Sequence, residues 1–185
     1  KINLSFLFAD YSASGNGGIL PMIITTVYMV LVAILVATPI GILASVYLQE
    51  YAKQGKVVRV IRFATECLAG IPSIVYGLFG GIFFVVALKL QYSILSGGLT
   101  VAIIILPTII RSTEEALKTV PSTYREASLG LGATKFQTLY KVILPSAIPG
   151  ILSGVILSIG RVIGESAAIL LTAGTVAKMP LTVFD

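Results

Sequence analysis

From Pro21 to Leu48 the chain carries no charged side chain, and neither do the stretches Cys67 to Leu88 and Leu90 to Ile110. A helix needs roughly 20 apolar residues to cross the hydrocarbon core of a bilayer, and each of these runs is long enough. A fourth run, Ala147 to Thr172, is interrupted only by Arg161 and Glu165. Charged residues make up 11% of the chain, against about 25% in soluble domains. The fold class is therefore all-α, a polytopic integral membrane protein, with the 185 residues forming one transmembrane domain. The expected spans are 20–48, 63–88, 97–117 and 147–172, with Gly97-Gly98 marking the start of the third. A break in the fourth helix near Gly160 to Gly164 is a second option, because such breaks line binding sites in some transporters.

Composition also excludes several chemistries. There is one cysteine, Cys67, and no histidine. That rules out an internal disulfide, a Cys/His metal cluster and a Ser-His-Asp or Cys-His catalytic group. No G-x4-G-K-[ST] pattern occurs, so ATP is not held by a P-loop in this chain. Neither a metal nor an organic cofactor is expected, nor a nucleic acid, since the net charge of +5 is spread over loops.

The same loop charges give the orientation. Lys53, Lys56, Arg59 and Arg62 follow the first run, and Lys118, Arg125, Lys135 and Lys141 follow the third beyond Arg111. The opposite segments hold only Lys1, Lys89 and Lys178. By the positive-inside rule the two basic loops face the cytoplasm. Lys1 to Leu20 then reads as a turn-rich extramembrane segment on the other side, without the basic start and cleavage pattern of a signal peptide. The expectation is a fragment that lacks a preceding span.

Between runs three and four lies a polar interlude, Pro121 to Pro145, with the sequence PSTYREASLGLGATKFQTLYKVILP. Pro121 can open a helix, and Thr123 with Glu126 has capping-box spacing. Gly132 can end that helix, and Thr134 with Gln137 offers a second capping box directly afterwards. A helix–Gly–helix module in the cytoplasm is more structure than a plain linker requires, and reads as a docking surface spanning 118–145.

Glu126-Ala127-Ser128, then Gly132, then Val142, Leu144 and Pro145 resemble the EAA motif of ABC importer permeases, E-A-A-x3-G-x9-I-x-L-P. Ser128 stands where Ala is usual and Val142 where Ile is usual. The resemblance implies a type I importer (MetI-like) transmembrane domain. Its loop between spans three and four would be the cytoplasmic coupling helix that sits on an ATPase subunit.

Charges within the fourth run are costly, because an arginine at mid-bilayer costs about 2.5–3.5 kcal/mol on insertion scales and must face a partner or water. Arg161 falls roughly 20 Å into the run at 1.5 Å per residue. Glu165 is expected one helical turn beyond it on the same face. The two residues either neutralise each other or contribute to a pathway, and the second reading is preferred. Arg111 either joins that pathway or snorkels to the cytoplasmic surface. Two arginines against one glutamate leave a net positive charge, and the guanidinium fork suits oxyanions. Glu66 lies at the inner mouth of run two and is given no role. Small residues at four-residue spacing, Ser146-Gly150-Gly154-Ser158, Gly77-Gly81 and Gly160-Gly164, predict close helix contacts within the subunit, in preference to a dimer interface.

Gly70-Ile71-Pro72-Ser73-Ile74-Val75-Tyr76-Gly77-Leu78-Phe79-Gly80 resembles a segment of phosphate ABC permeases of the PstA type. So does Arg161-Val162-Ile163-Gly164-Glu165-Ser166-Ala167-Ala168, which is similar to R-x-x-G-E-T-A-P with Ser166 for Thr and Ala168 for Pro. The resemblance implies a non-catalytic permease subunit of an ATP-driven importer for inorganic phosphate, in the cytoplasmic membrane of a prokaryote. Arg161, Glu165 and Arg111 would belong to its substrate pathway. Glu126, Ala127, Ser128, Gly132, Leu144 and Pro145 would belong to its ATPase coupling surface. The implied partners are ATP-binding ATPase subunits, a homologous second permease of the PstC type and an extracytoplasmic phosphate-binding protein. A permease for sulfate or molybdate is the nearest alternative, and a stand-alone secondary transporter or channel a more distant one.

Overall fold

Every regular element among the described residues is a helix. A computed structural model of the chain describes residues 8, 9, 11, 18–174, 180 and 182. Lys1 and Lys178, which enter the charge count of the loops, and the turn-rich stretch 12–17 lie outside them.

Helix α1 (Leu20–Val46) runs on into a π-helical turn, Tyr47–Tyr51. Helices α2 (Lys56–Ala69) and α3 (Ser73–Gly80) follow, and α3 continues as a π stretch, Gly81–Ala87. Next come α4 (Ile94–Thr119) and α5 (Ser122–Gly130). The short α6 (Lys135–Thr138) passes through a third π turn, Leu139–Ile143, into α7 (Leu144–Ile163), and α8 (Ala167–Thr172) ends the described helices. By length and composition, Leu20–Tyr51, Ile94–Thr119 and Lys135–Ile163 can each cross a membrane, and the broken pair α2–α3 can be a fourth span.

Three expected boundaries shift, each for a local physical reason. The span expected over 63–88 is broken, because Pro72 has no N–H to donate and takes an extended ψ of 137° ahead of α3. Gly97 and Gly98 do not begin α4. That helix starts at Ile94, and the Ser93 hydroxyl accepts from the Ser96 N–H at 3.2 Å in the manner of an N-cap. The fourth helix begins well before 147, and it is broken at 164–166, beyond Ile163. Pro145 deprives the Lys141 carbonyl of its usual donor, and the chain takes its π turn immediately before that proline instead of ending the helix.

The chain divides into two compact units. One comprises Lys1–Val36, Ile71–Ile104 and Arg161–Asp185, and the other Ala37–Gly70 and Ile105–Gly160. In lipid, apolar surface gains little by meeting apolar surface, so packing relies on close backbone approach and satisfied polar groups. The first unit has both. A Cβ on Gly77 would fall 2.8 Å from the Ala168 backbone, and one on Gly80 would overlap the Thr100 side chain. One on Gly98 would lie 2.6 Å from Val32, which is why α4 needs that glycine inside the helix. Tyr76, Ile104 and Ala168 form the buried cluster here. The hydroxyls of Thr100 and Thr172 donate back to Ser96 and Ala168 carbonyls at 2.8 and 2.7 Å.

The second unit is built around Val46, Ala116, Leu117, Val120, Leu139, Ile143, Ala147 and Ile151. Here α7 lies against α4 through its small-residue stripe, Gly150 facing Ala116 and Gly154 facing Ser112. The buried Ser45 hydroxyl donates both to Gly41 O at 2.6 Å and to Ile110 O at 2.9 Å, pinning α1 to α4. Helix α2 is held by ions: Arg62 Nε lies 3.0 Å from Glu114, whose side chain is 8% exposed, and its other nitrogens donate to Gln54 and Gln49.

The Gly150–Gly154 part of the stripe therefore packs within the chain, as expected from the sequence, whereas Gly160, expected to make the same kind of contact, does not. A Cβ at position 150 would stand 2.6 Å from Ala116 Cβ, whereas at Gly160 nothing lies within 4 Å. Gly150→Leu should destabilise the protein by about 1–3 kcal/mol, the usual cost of overpacking. Gly160→Leu should leave the thermal midpoint of the detergent-solubilised protein unchanged. Equal midpoints for the two variants would contradict this packing.

Candidate functional site

The polar interlude folds as the expected helix–Gly–helix module, with one difference at its start. Thr123 and Glu126 make no capping box; α5 begins at Ser122 with Pro121 as its N-cap, and no side chain caps it. Pro121 supplies the extended ψ of 139° itself and leaves the Glu126 side chain free of capping duty. At the other end Gly132 has φ +86°, a conformation that disfavours any residue with a Cβ. Its N–H reaches Leu129 O at 2.9 Å, and the Ala133 N–H reaches Ser128 O at 3.2 Å, the paired bonds of a Schellman stop. Thr134 and Gln137 then form a complete capping box for α6.

No residue of α5 is buried. Glu126 and Ala127 are exposed, along with Tyr124, Leu129, Leu131, Phe136 and Tyr140; Leu131 is 90% exposed. The rings of Phe136 and Tyr140 stack at 6.4 Å. Ser128 is turned toward its own subunit, its hydroxyl 2.9 Å from that of Thr138, which ties α5 to α6. Leu144 packs on the core of the second unit, while Pro145 is exposed. Of the predicted coupling residues, Glu126 and Ala127 offer surface, and Ser128, Gly132, Leu144 and Pro145 shape the module that presents it.

Arg125 was not among the predicted residues, yet it anchors the module. Its Nη2 lies 2.6 Å from Glu50 Oε1 in the π turn that ends α1. Its guanidinium also donates to Val120 O at 3.1 Å and Leu117 O at 3.2 Å, carbonyls of the last turn of α4 and just beyond. Lys135 adds a cation–π contact, its Nζ 5.3 Å from the centre of the Tyr51 ring in the same π turn. The signal available in the sequence was an arginine directly before the Glu-Ala-Ser triplet and an acid at the inner end of the first run. No local spacing rule pairs residues so far apart in the chain.

Each membrane charge has its own local setting. Arg111 belongs to one unit, and Arg161 and Glu165 to the other. Arg111 Nη2 lies 3.3 Å from Glu66 Oε1, both side chains about half exposed, so Glu66 acquires a role it was not assigned. Arg161 is exposed near the end of α7. Glu165 does not continue that helix one turn above Arg161, because α7 stops at Ile163. Its Oε1 instead accepts from the Ala168 N–H at 3.2 Å, in the first turn of α8. The break thus changes what Glu165 does: it satisfies a backbone donor at a helix start.

A family model described as the inner membrane component of binding-protein-dependent transport systems matches residues 37–184. The chain belongs to this family. Among related permeases, it is 41% identical over 174 residues to the probable ABC transporter permease protein YqgI of Bacillus subtilis, covering 92% of this chain and 59% of that protein. It is 40% identical over 169 residues to the phosphate transport system permease protein PstA of Mycobacterium leprae, covering 91% and 55%. The PstA of Pasteurella multocida is 39% identical over 181 residues, covering 92% and 64%. The chain thus spans less than two thirds of the length of each of these three. The fold is similar to that of a chain in the inward-facing MetNI methionine ABC transporter, with a TM-score of 0.66 at 24% identity over 82% of this chain and 70% of that one. This permease is accordingly an all-helical, multi-pass membrane protein of the MetI-like type.

Proposed function

We propose that this permease forms part of the membrane pathway of an ATP-driven importer for inorganic phosphate and performs no covalent chemistry itself. ATP hydrolysis belongs to separate ATPase subunits that dock on α5 and the start of α6. A second, homologous permease completes the pathway, and an extracytoplasmic phosphate-binding protein delivers the anion. The observation that carries this reading is the exposed α5–Gly132–α6 module, a helix with no buried residue held in fixed geometry against the inner ends of α1 and α4. A solvated linker needs neither a Schellman stop nor a capping box nor an anchoring ion pair. The likeness to phosphate permeases supports the cargo, as does the suitability of guanidinium groups for oxyanions.

In mechanism, nucleotide-driven closure of the ATPase pair moves α5, and the differential contacts it makes in two states bias the spans between inward- and outward-open forms. Arg161 and, more weakly, Arg111 lower the cost of bringing an anion into the membrane, and Glu165 holds the turn after Arg161. The test is uptake of labelled phosphate into vesicles holding the full-length permease with its ATPase, partner permease and binding protein, with sulfate as competitor. Uptake that requires ATP and ignores sulfate is expected. ATP-dependent uptake of a different oxyanion would overturn the cargo. Flux without the ATPase would overturn the coupling.

A further inference from the structure

Glu50 and Arg125 have no part in the EAA-like surface, yet their ion pair is the shortest in the second unit among the described residues, at 2.6 Å. Both side chains are largely withdrawn from solvent, Glu50 at 14% and Arg125 at 26% exposure. Among the described residues, two other ion pairs of this unit link α2 to α4 and one, Lys118 with Glu114, lies within α4; only this one reaches α5. The guanidinium simultaneously holds the carbonyls of Leu117 and Val120, so one planar group joins the end of α1, the end of α4 and the exposed helix. Its next neighbour, Glu126, is exposed on the outer surface of the same helix turn. Glu50 also sits in a π turn, a departure from the α-helix that is frequent at functional sites.

We infer that Arg125 and Glu50 are positioning residues that transmit displacement of α5 to the inner end of α1, the guanidinium acting as the joint between them. This inference rests on the coupling role proposed above for α5. The joint does not touch cargo, and it makes a demand that a docking surface alone does not: loss of the pair leaves the ATPase bound but disconnects its motion from α1.

The experiment uses the full-length permease assembled with its ATPase and partner permease in proteoliposomes, with Cys67→Ser and a spin label at Tyr47→Cys, an exposed site in the π turn. The readout is the change in label mobility on adding ATP with vanadate, which does not depend on the identity of the cargo. Glu50→Gln, which leaves α5 untouched, should keep ATPase co-purification and reduce the mobility change about fivefold, whereas Glu50→Asp should retain it. Arg125→Ala should reduce it about fivefold as well, and the double variant by about the same factor instead of roughly twenty-five-fold, the signature of two groups acting through each other. Full response in Glu50→Gln, or multiplying losses in the double variant, overturns the inference and leaves the coupling function standing. No nucleotide response in the unsubstituted assembly overturns the coupling function and the inference with it.

Discussion

Replacing Arg161 by alanine is expected to lower phosphate uptake by roughly one to two orders of magnitude, the worth of a charge-assisted hydrogen bond to an anion. Arg161 is exposed near the end of α7. An exposed guanidinium can donate two parallel hydrogen bonds to an oxyanion, which is what the proposed phosphate pathway asks of it. Arg111→Ala should reduce uptake far less. Its half-exposed pairing with Glu66 is of the kind usually worth about 0–1 kcal/mol. Initial rates in the reconstituted importer at saturating ATP decide the matter. Equal and mild losses in both variants would assign Arg161 to packing.

Glu126→Lys should weaken ATPase co-purification by about tenfold or more while leaving the permease folded and inserted, since like charges brought together at an interface cost several kcal/mol. The side chain makes no capping box and lies exposed on a helix without buried residues, so its reversal disturbs nothing inside the subunit. Ser128→Val at the third position of the same triplet should behave differently. It removes the tie to Thr138 and loosens α5 against α6, and it should lower thermal stability along with ATPase binding. Binding of the Glu126→Lys variant at the native level would place the docking surface elsewhere on the permease.

Much of this permease was legible because lipid restricts what a chain can do. The apolar runs read as helices with no tertiary information. The Gly132 stop and the Thr134–Gln137 capping box were equally local, each decided by residues within one or two turns. The small-residue spacing of Gly150 and Gly154 on α7 points to an intrachain contact, and Ala116 and Ser112 are its partners. Local rules failed where two of them competed. Pro121 displaced the Thr123–Glu126 box, Pro72 broke the second run, and the glycines at 97 and 98 serve close approach to neighbouring helices instead of starting α4.

Hydrophobic length, loop charge and capping chemistry by themselves determined that the chain is helical, which runs are apolar enough to enter the membrane, and that a structured polar module separates the last two. These follow from interactions between residues a few positions apart, or from the cost of an unsatisfied backbone in lipid. Only the tertiary structure decided which charges meet. Glu50 with Arg125, Arg62 with Glu114 and Arg111 with Glu66 are each separated by tens of residues, and long side chains of this kind accept several partners. The choice among them is set by where helix ends are brought together, and the helix ends are placed by packing that no single segment contains.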